Sequence, residues 1–244
     1  MKLKLLACEV FYREIAHFTS CTKNIVDVEF LEKGLHDKSD ILRAKLQERI
    51  DAVSAAGGYE AIALAYGLCG NSAAGLKAKK LPLIIPKVHD CAGFLLGSNK
   101  RYMEYFKDNL SQPFTSTGYM ERGDSMYREG ESDMKLSGTK GNYEEFVKMY
   151  GEENAKFIMD SLAPKKHNDR IVYIETDITK HLNYSEKTKE YAKKENLKYV
   201  EYQADLKLLE DLIAGNWSDN ERFLVVAPGK SIKPSYDELV IKSS

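Results

Sequence analysis

No run of apolar residues in the 244-residue chain approaches the roughly 20 needed to cross a bilayer. The start, Met1-Lys2-Leu3-Lys4-Leu5-Leu6-Ala7-Cys8-Glu9, is too short in its apolar part for the core of a signal peptide, and Glu9 breaks it at once. A cytoplasmic protein that does not enter the membrane is expected. An excess of positive charge is also missing: 36 Lys and Arg stand against 37 Asp and Glu, a net charge of −1. That balance argues against nucleic acid as a partner, because such binders concentrate basic residues on one face. The small group Lys77, Lys79 and Lys80 reads as a solvated helix end. Cysteine is scarce, with four residues, too few for a disulfide scaffold. No Cys-x-x-Cys pair points to a zinc ribbon or finger. Neither a Gly-x-Gly-x-x-Gly fingerprint nor a P-loop points to a nucleotide.

What remains is a chain with 43% hydrophobic residues, enough to fill one large α/β domain or two small lobes. Lys2 to Ala7, Ile25 to Leu31, Tyr59 to Tyr66 and Leu81 to Val88 read as strands. Helices are expected over Val10 to Phe18, Asp40 to Ser54, Ser72 to Lys79, Ala92 to Leu96 and Lys100 to Asn109. Gly57-Gly58 stops the second of these. Strands alternating with helices at this spacing predict βαβ units and a largely parallel, Rossmann-like sheet. Residues 1–110 form an N-terminal α/β portion on this reading. Residues 111–141, rich in Gly, Ser, Thr, Tyr and charge, read as an insertion or lid loop. Asn142 to Leu162 returns to helix. Arg170 to Thr176, Lys198 to Tyr202 and Phe223 to Ala227 are further strands, with helices over Ser185 to Glu195 and Asp205 to Ala214. Residues 142–244 are thus a C-terminal α/β portion. Two lobes around a cleft and one continuous sheet are both compatible with the pattern.

In an open parallel sheet, ligands bind beyond the carboxyl ends of the strands. Cys8 follows the first strand, Cys69 the third, and His89 and Cys91 the fourth. Only Cys21 lies elsewhere, after a helix. Three sulfurs and one imidazole suit a tetrahedral Zn²⁺ site, with Zn–S near 2.3 Å and Zn–N near 2.0 Å. Three ligands alone leave one position open to water or a substrate thiol. An iron–sulfur cluster is the neighbouring alternative for the same donors. Cys91 also opens a predicted helix, whose N-terminal partial charge lowers a thiol pKa, so it is a candidate nucleophile without metal. Asp90 either orients His89 or caps that helix. Glu9, beside Cys8, and Glu121 are candidate proton handlers. Gly67 and Gly70 flank Cys69 and allow close approach of backbone to a ligand. Tyr119, within Thr117-Gly118-Tyr119-Met120-Glu121-Arg122, could close over a bound group.

Ala7-Cys8-Glu9, Tyr66-Gly67-Leu68-Cys69-Gly70, His89-Asp90-Cys91, Leu95-Leu96-Gly97-Ser98 and Thr117-Gly118-Tyr119-Met120-Glu121, taken in this order, resemble the signature of domain-of-unknown-function family 1638. The resemblance runs from the first strand to Pro228-Gly229. It implies an association with corrinoid-dependent methyltransferase systems in anaerobes. From that follow a role in one-carbon metabolism, a corrinoid protein or methyltransferase subunit as partner, and a small-molecule thiol or methyl donor. It supports Cys8, Cys69, His89, Cys91 and Glu121 as site residues. Zinc-dependent thiol methyltransferases bind their metal through a His-x-Cys and a further Cys, an analogy for His89, Cys91 and Cys69. Those enzymes are barrels, however, and this chain is too short for one. It also lacks the Asp-x-His-x-x-Gly pattern of a protein that carries cobalamin itself. An accessory module that delivers metal is a further alternative.

Overall fold

The computed structural model describes residues 1–33, 35, 39–108, 112–122, 152, 169–235 and 240–244. The helix expected over Asn142 to Leu162 lies outside the described residues, as does most of the 111–141 insertion.

The architecture is α/β. One sheet has five strands in the order β2-β1-β3-β4-β8: β1 (Lys2–Cys8), β2 (Ile25–Leu31), β3 (Ala61–Ala65), β4 (Leu83–Pro86) and β8 (Phe223–Val226). The first four run parallel, and β8 pairs antiparallel with β4. A second, separate sheet is parallel and contains β5 (Phe114–Thr115), β6 (Arg170–Glu175) and β7 (Lys198–Gln203) in that order. Strands β9 (Ile232–Pro234) and β10 (Ile241–Ser243) form a short hairpin. The described residues therefore build two larger sheets and a two-stranded one, and β8 brings residues 223–226 back to the sheet made by the first third of the sequence.

Composition explains these elements. β3 is Ala-Ile-Ala-Leu-Ala, buried throughout, because a central strand covered on both faces needs apolar residues and small ones where helices press close. Helix α1 (Tyr12–Cys21) follows a 3₁₀ turn at Glu9–Phe11. Helix α2 (Ser39–Ala56) buries Leu42, Leu46, Ile50 and Val53, spaced to form one stripe. It stops at Gly57, whose φ is 71°. Helix α3 (Cys91–Leu95) is capped by Asp90, whose Oδ1 accepts the Gly93 N–H at 3.0 Å. Helix α4 (Asn99–Phe106) is capped in the same way by Ser98. Helices α5 (Thr117–Arg122), α6 (Tyr184–Lys194) and α7 (Lys207–Ala214) complete the described set. No helix among the described residues is long and apolar enough to cross a membrane.

Two sequence expectations change. Ser72 to Lys79 is not a helix: it makes a turn, and then Leu76 and Ala78 pair with residues 229–232 through backbone hydrogen bonds of 2.9–3.0 Å. Ladder partners from far along the chain win over a weak local helix preference. Within the stretch read as an insertion, Phe114–Thr115 is a strand of the second sheet and Thr117–Arg122 is helix α5. A two-residue strand is too short to register in a period-two pattern.

Helix α5 packs on the turn at Glu9–Phe11, and α7 packs on α1, α3, β3 and β4. The segments leaving the carboxyl ends of β5 and β7 thus meet those leaving β1 and β4. Gly118 marks the tightest point: a Cβ there would lie 1.7 Å from the Val10 carbonyl oxygen. Only glycine lets the two backbones approach this closely.

Candidate functional site

Three of the four cysteines meet at the carboxyl ends of the first sheet. Cys8 is the last residue of β1, Cys69 lies in the turn after β3, and Cys91 begins α3 after β4. The Cys91 thiol lies near both Cys8 and Cys69. Cys8 and Cys91 are buried, and Cys69 is half-buried. Cys21 is apart from them, exposed at the end of α1, its Sγ 3.7 Å from Ser20 Oγ.

The turns that carry Cys69 and Cys91 are joined by backbone. Leu68 N–H donates to Val88 O at 2.9 Å, and Cys69 N–H to His89 O at 2.8 Å. Gly67 permits this pairing, since a Cβ there would stand 2.8 Å from both Asp90 N and Val88 O. Its role is to let one turn lie on the other. Cys69, Gly70 and Asn71 follow with φ of 46°, 69° at Asn71 and 60° at Gly70, three left-handed residues in succession. Such a conformation costs a non-glycine residue about 1–2 kcal/mol. At Cys69 it sets the thiol beside Cys91. Gly70 has nothing within 4 Å of its Cβ position and serves as a turn residue.

Cys8 and Cys91 are held in the neutral form. The nearby Cys91 thiol raises the Cys8 pKa far above the ordinary thiol value, and burial adds to it. Cys91 is likewise pushed well up, first by the Cys69 thiol beside it. The N-terminal partial charge of the short helix α3 does not offset these effects.

Two tyrosines face the thiols. Tyr119, on α5, lies near Cys91 and Cys8, and burial raises its pKa well above the usual phenol value. Tyr66 directly follows β3. Ala65 is in register with Ala7, so one step further Tyr66 lies beside Cys8, with the same side-chain direction. Its ring is buried, and among the described residues its hydroxyl has no hydrogen-bond partner. Burial, followed by the proximity of Cys8, Cys69 and Cys91, raises its pKa well above the usual value. Sequence reading missed Tyr66. The signal was a tyrosine closing the apolar run Ala61 to Ala65, since a buried phenol needs a partner for its polar end.

The other candidates stand elsewhere. His89 is exposed, with its ring 6.4 Å from that of Tyr102, so the structure brings together three of the four expected ligands. Asp90 caps α3 and hydrogen-bonds Tyr102. Glu9 Oε1 accepts the Lys33 N–H at 2.8 Å, tying the exit of β1 to the exit of β2. Glu121 is gripped by Arg13, whose Nε and Nη2 each donate at 2.7 Å, and by the Tyr184 hydroxyl at 3.4 Å. The Arg13 hydrogen bonds hold the Glu121 carboxyl below its ordinary pKa. It is thus a fixed anion linking α1, α5 and α6. Glu14, on α1, is a buried acid that sequence reading also missed. Thr176 Oγ1 donates to its Oε1 at 3.3 Å, its Oε2 is unpartnered, and burial raises its pKa.

Chemically, three sulfurs and two phenols stand near one another at one edge of the first sheet. Thiolates are soft donors, so the donor types suit Zn²⁺ or another soft ion. Among the described residues, no group of three or more His, Cys, Asp and Glu side chains already stands in a metal-ligating arrangement.

The model of a family described as "Protein of unknown function (DUF1638)" matches residues 30–213. Neither the curated proteins nor the solved structures contain a match.

Proposed function

This chain belongs to the DUF1638 family, and from that premise we propose that it is a metal-thiolate protein in which Cys8, Cys69 and Cys91 hold a single Zn²⁺ ion. One observation carries the reading: Cys8 at the end of β1, Cys69 after β3 and Cys91 after β4 stand at adjoining strand ends, near enough that Cys91 raises the Cys8 pKa and Cys69 raises that of Cys91. Sulfurs sharing one tetrahedral zinc are about 3.8 Å apart, given a Zn–S bond near 2.3 Å. The sulfurs that bind an iron–sulfur cluster go to separate irons and must spread, so the single ion is favoured over the cluster.

Ligation asks for deprotonation. Cys8, Cys69 and Cys91 would hold the ion as thiolates, each giving up its proton on ligation. His89 is exposed, which leaves a fourth position for a small molecule. A zinc ion with an open position lowers the pKa of a thiol bound there. The chain's own residues surround that position: Tyr119 and Tyr66 limit water and offer hydroxyls, and the 69–71 turn fixes Cys69. Thiol or methyl transfer is the chemistry that this arrangement suits. The link to one-carbon metabolism and to a corrinoid protein or methyltransferase subunit rests on the family resemblance. Service as an accessory that delivers metal remains a second reading of the same site. A reducing compartment, the cytoplasm, goes with either, because neighbouring sulfurs oxidise outside it.

The test is elemental analysis with ultraviolet–visible spectroscopy of anaerobically purified protein, for the wild type and Cys69→Ser. About one zinc per chain, reduced in the variant, is the expected result. Absence of metal from the wild type in both anaerobic and aerobic preparations would falsify the reading. A brown protein with iron and sulfide would replace zinc by a cluster.

A further inference from the structure

The Tyr66 hydroxyl is a buried donor with nothing to donate to among the described residues. Leaving such a group unpaired costs about 1–3 kcal/mol, and an ordinary core position would carry phenylalanine. The neighbouring residues do not relieve it. Tyr66 stands beside Cys8 in the β1–β3 register, on the face where Cys8 meets Cys91. Cys91 lies near Cys8, Cys69 and Tyr119, and among the described residues none of these groups takes the Tyr66 hydroxyl as a hydrogen-bond partner.

We propose that Tyr66 is the positioning residue for an acidic thiol, donating its hydroxyl proton in a hydrogen bond to a carboxylate oxygen of the molecule whose sulfur takes the open position beside Cys8, Cys69 and Cys91. This rests on the metal reading given above. A phenol donates more strongly to an anionic oxygen than to a neutral one, which selects a carboxylate over a plain hydrocarbon end. Charge agrees. The Lys33 ammonium lies over the Tyr119 ring, 5.1 Å from its centroid, and the Lys33 backbone is tied to Glu9 next to Cys8. A cation is therefore held on the Tyr119 side of the thiols. Gly67 keeps the exit of β3 against the exit of β4, which fixes the Tyr66 ring in place.

The experiment uses full-length protein loaded with Co²⁺, whose visible absorption reports a change of ligand. Thioglycolate and ethanethiol are titrated in parallel into wild type and Tyr66→Phe. Wild type is expected to bind thioglycolate about tenfold or more tightly than ethanethiol, the range for a hydrogen bond to a charged group. Tyr66→Phe should lose that preference, keep its ethanethiol affinity and keep its Co²⁺ content. The metal-free Tyr66→Phe protein should also unfold at a higher temperature than wild type, because it no longer buries an unpaired hydroxyl. A merely structural tyrosine would give the opposite shift. Equal thioglycolate affinities in the two proteins overturn the role of Tyr66 and leave the metal site standing. Failure of wild type to take up Co²⁺ overturns the metal reading and, with it, this inference.

Discussion

The backbone N–H of Cys69 donates to the carbonyl oxygen of His89 across 2.8 Å. This bond settles which of two neighbouring residues reaches the site. It fixes the turns after β3 and β4 to each other, so that Cys91, two residues on, meets Cys69 while the imidazole of His89 stays exposed.

Cys69 accepts a left-handed backbone to reach its partner. Replacing it by glycine removes a strain of about 1–2 kcal/mol, offset by the greater chain entropy of glycine, about 0.5–1 kcal/mol. Cys69→Gly is therefore expected to unfold at or slightly above the wild-type temperature without metal, and to bind zinc more weakly. Thermal unfolding with and without zinc checks both. A less stable apoprotein with unchanged zinc affinity would refute this account of the turn.

The neutral thiols give a pH dependence of definite sign. Cys8 has a folded-state pKa above the ordinary 9.0, so the fold keeps a proton that the unfolded chain releases. Its contribution is fully present below 9.0 and is lost as the pH rises beyond it. Metal-free wild type should lose stability relative to Cys8→Ala between about pH 8.5 and about pH 10, around the reference thiol pKa. Chemical denaturation across that range measures the difference, and parallel curves for the two proteins would contradict it. Zinc affinity should rise over the same interval, because ligation releases thiol protons and a higher pH favours their release.

Glu121 is assigned to structure by its grip on Arg13. Its lowered pKa means that the contribution is present above the ordinary 4.5 and lost as the pH falls through the lowered value. Arg13 is partly exposed, so solvent screening keeps the pair to about 0.5–1 kcal/mol. Glu121→Gln should cost about that much stability near neutral pH while zinc content is retained. Loss of zinc at unchanged stability would return Glu121 to the site.

Gly118→Ala should be the most disruptive small substitution near the site. The added carbon would meet the Val10 carbonyl oxygen, a backbone atom that cannot swing away. A loss of about 2–3 kcal/mol is expected, with α5 displaced and Tyr119 drawn off Cys91. Thermal unfolding and the near-ultraviolet circular dichroism of the tyrosines would record the two effects. An unperturbed variant would mean that the close approach is not needed.

Much of the fold was legible in the sequence where local pattern and tertiary role agree. Ile25 to Leu31 reads as a strand and is one, and Gly57 ends α2 where expected. Placement at strand ends grouped Cys8, Cys69 and Cys91 and set Cys21 aside, because parallel strands carry their exits to one edge whatever the intervening residues. His89 shares that placement, but the direction of its side chain depends on the backbone of the turn, which spacing does not encode. Glu121 looked like a proton handler until its partner, 108 residues away, was known. The pairing of Leu76 and Ala78 with residues 229–232 was hidden for the same reason.

That last pairing bears on the order in which the protein is made. The turn holding Cys69 continues into residues 75–78, whose backbone pairs with residues 229–232 and, at Lys77, with the Gln47 side chain. All three thiols leave the ribosome early, yet the segment that steadies one of them emerges about 140 residues later, which at 5–20 residues per second is roughly 7–30 seconds. Through that interval Cys8, Cys69 and Cys91 sit on a nascent chain whose site is unfinished. Metal would therefore be acquired after synthesis of the 229–232 segment, from a source that can wait for it.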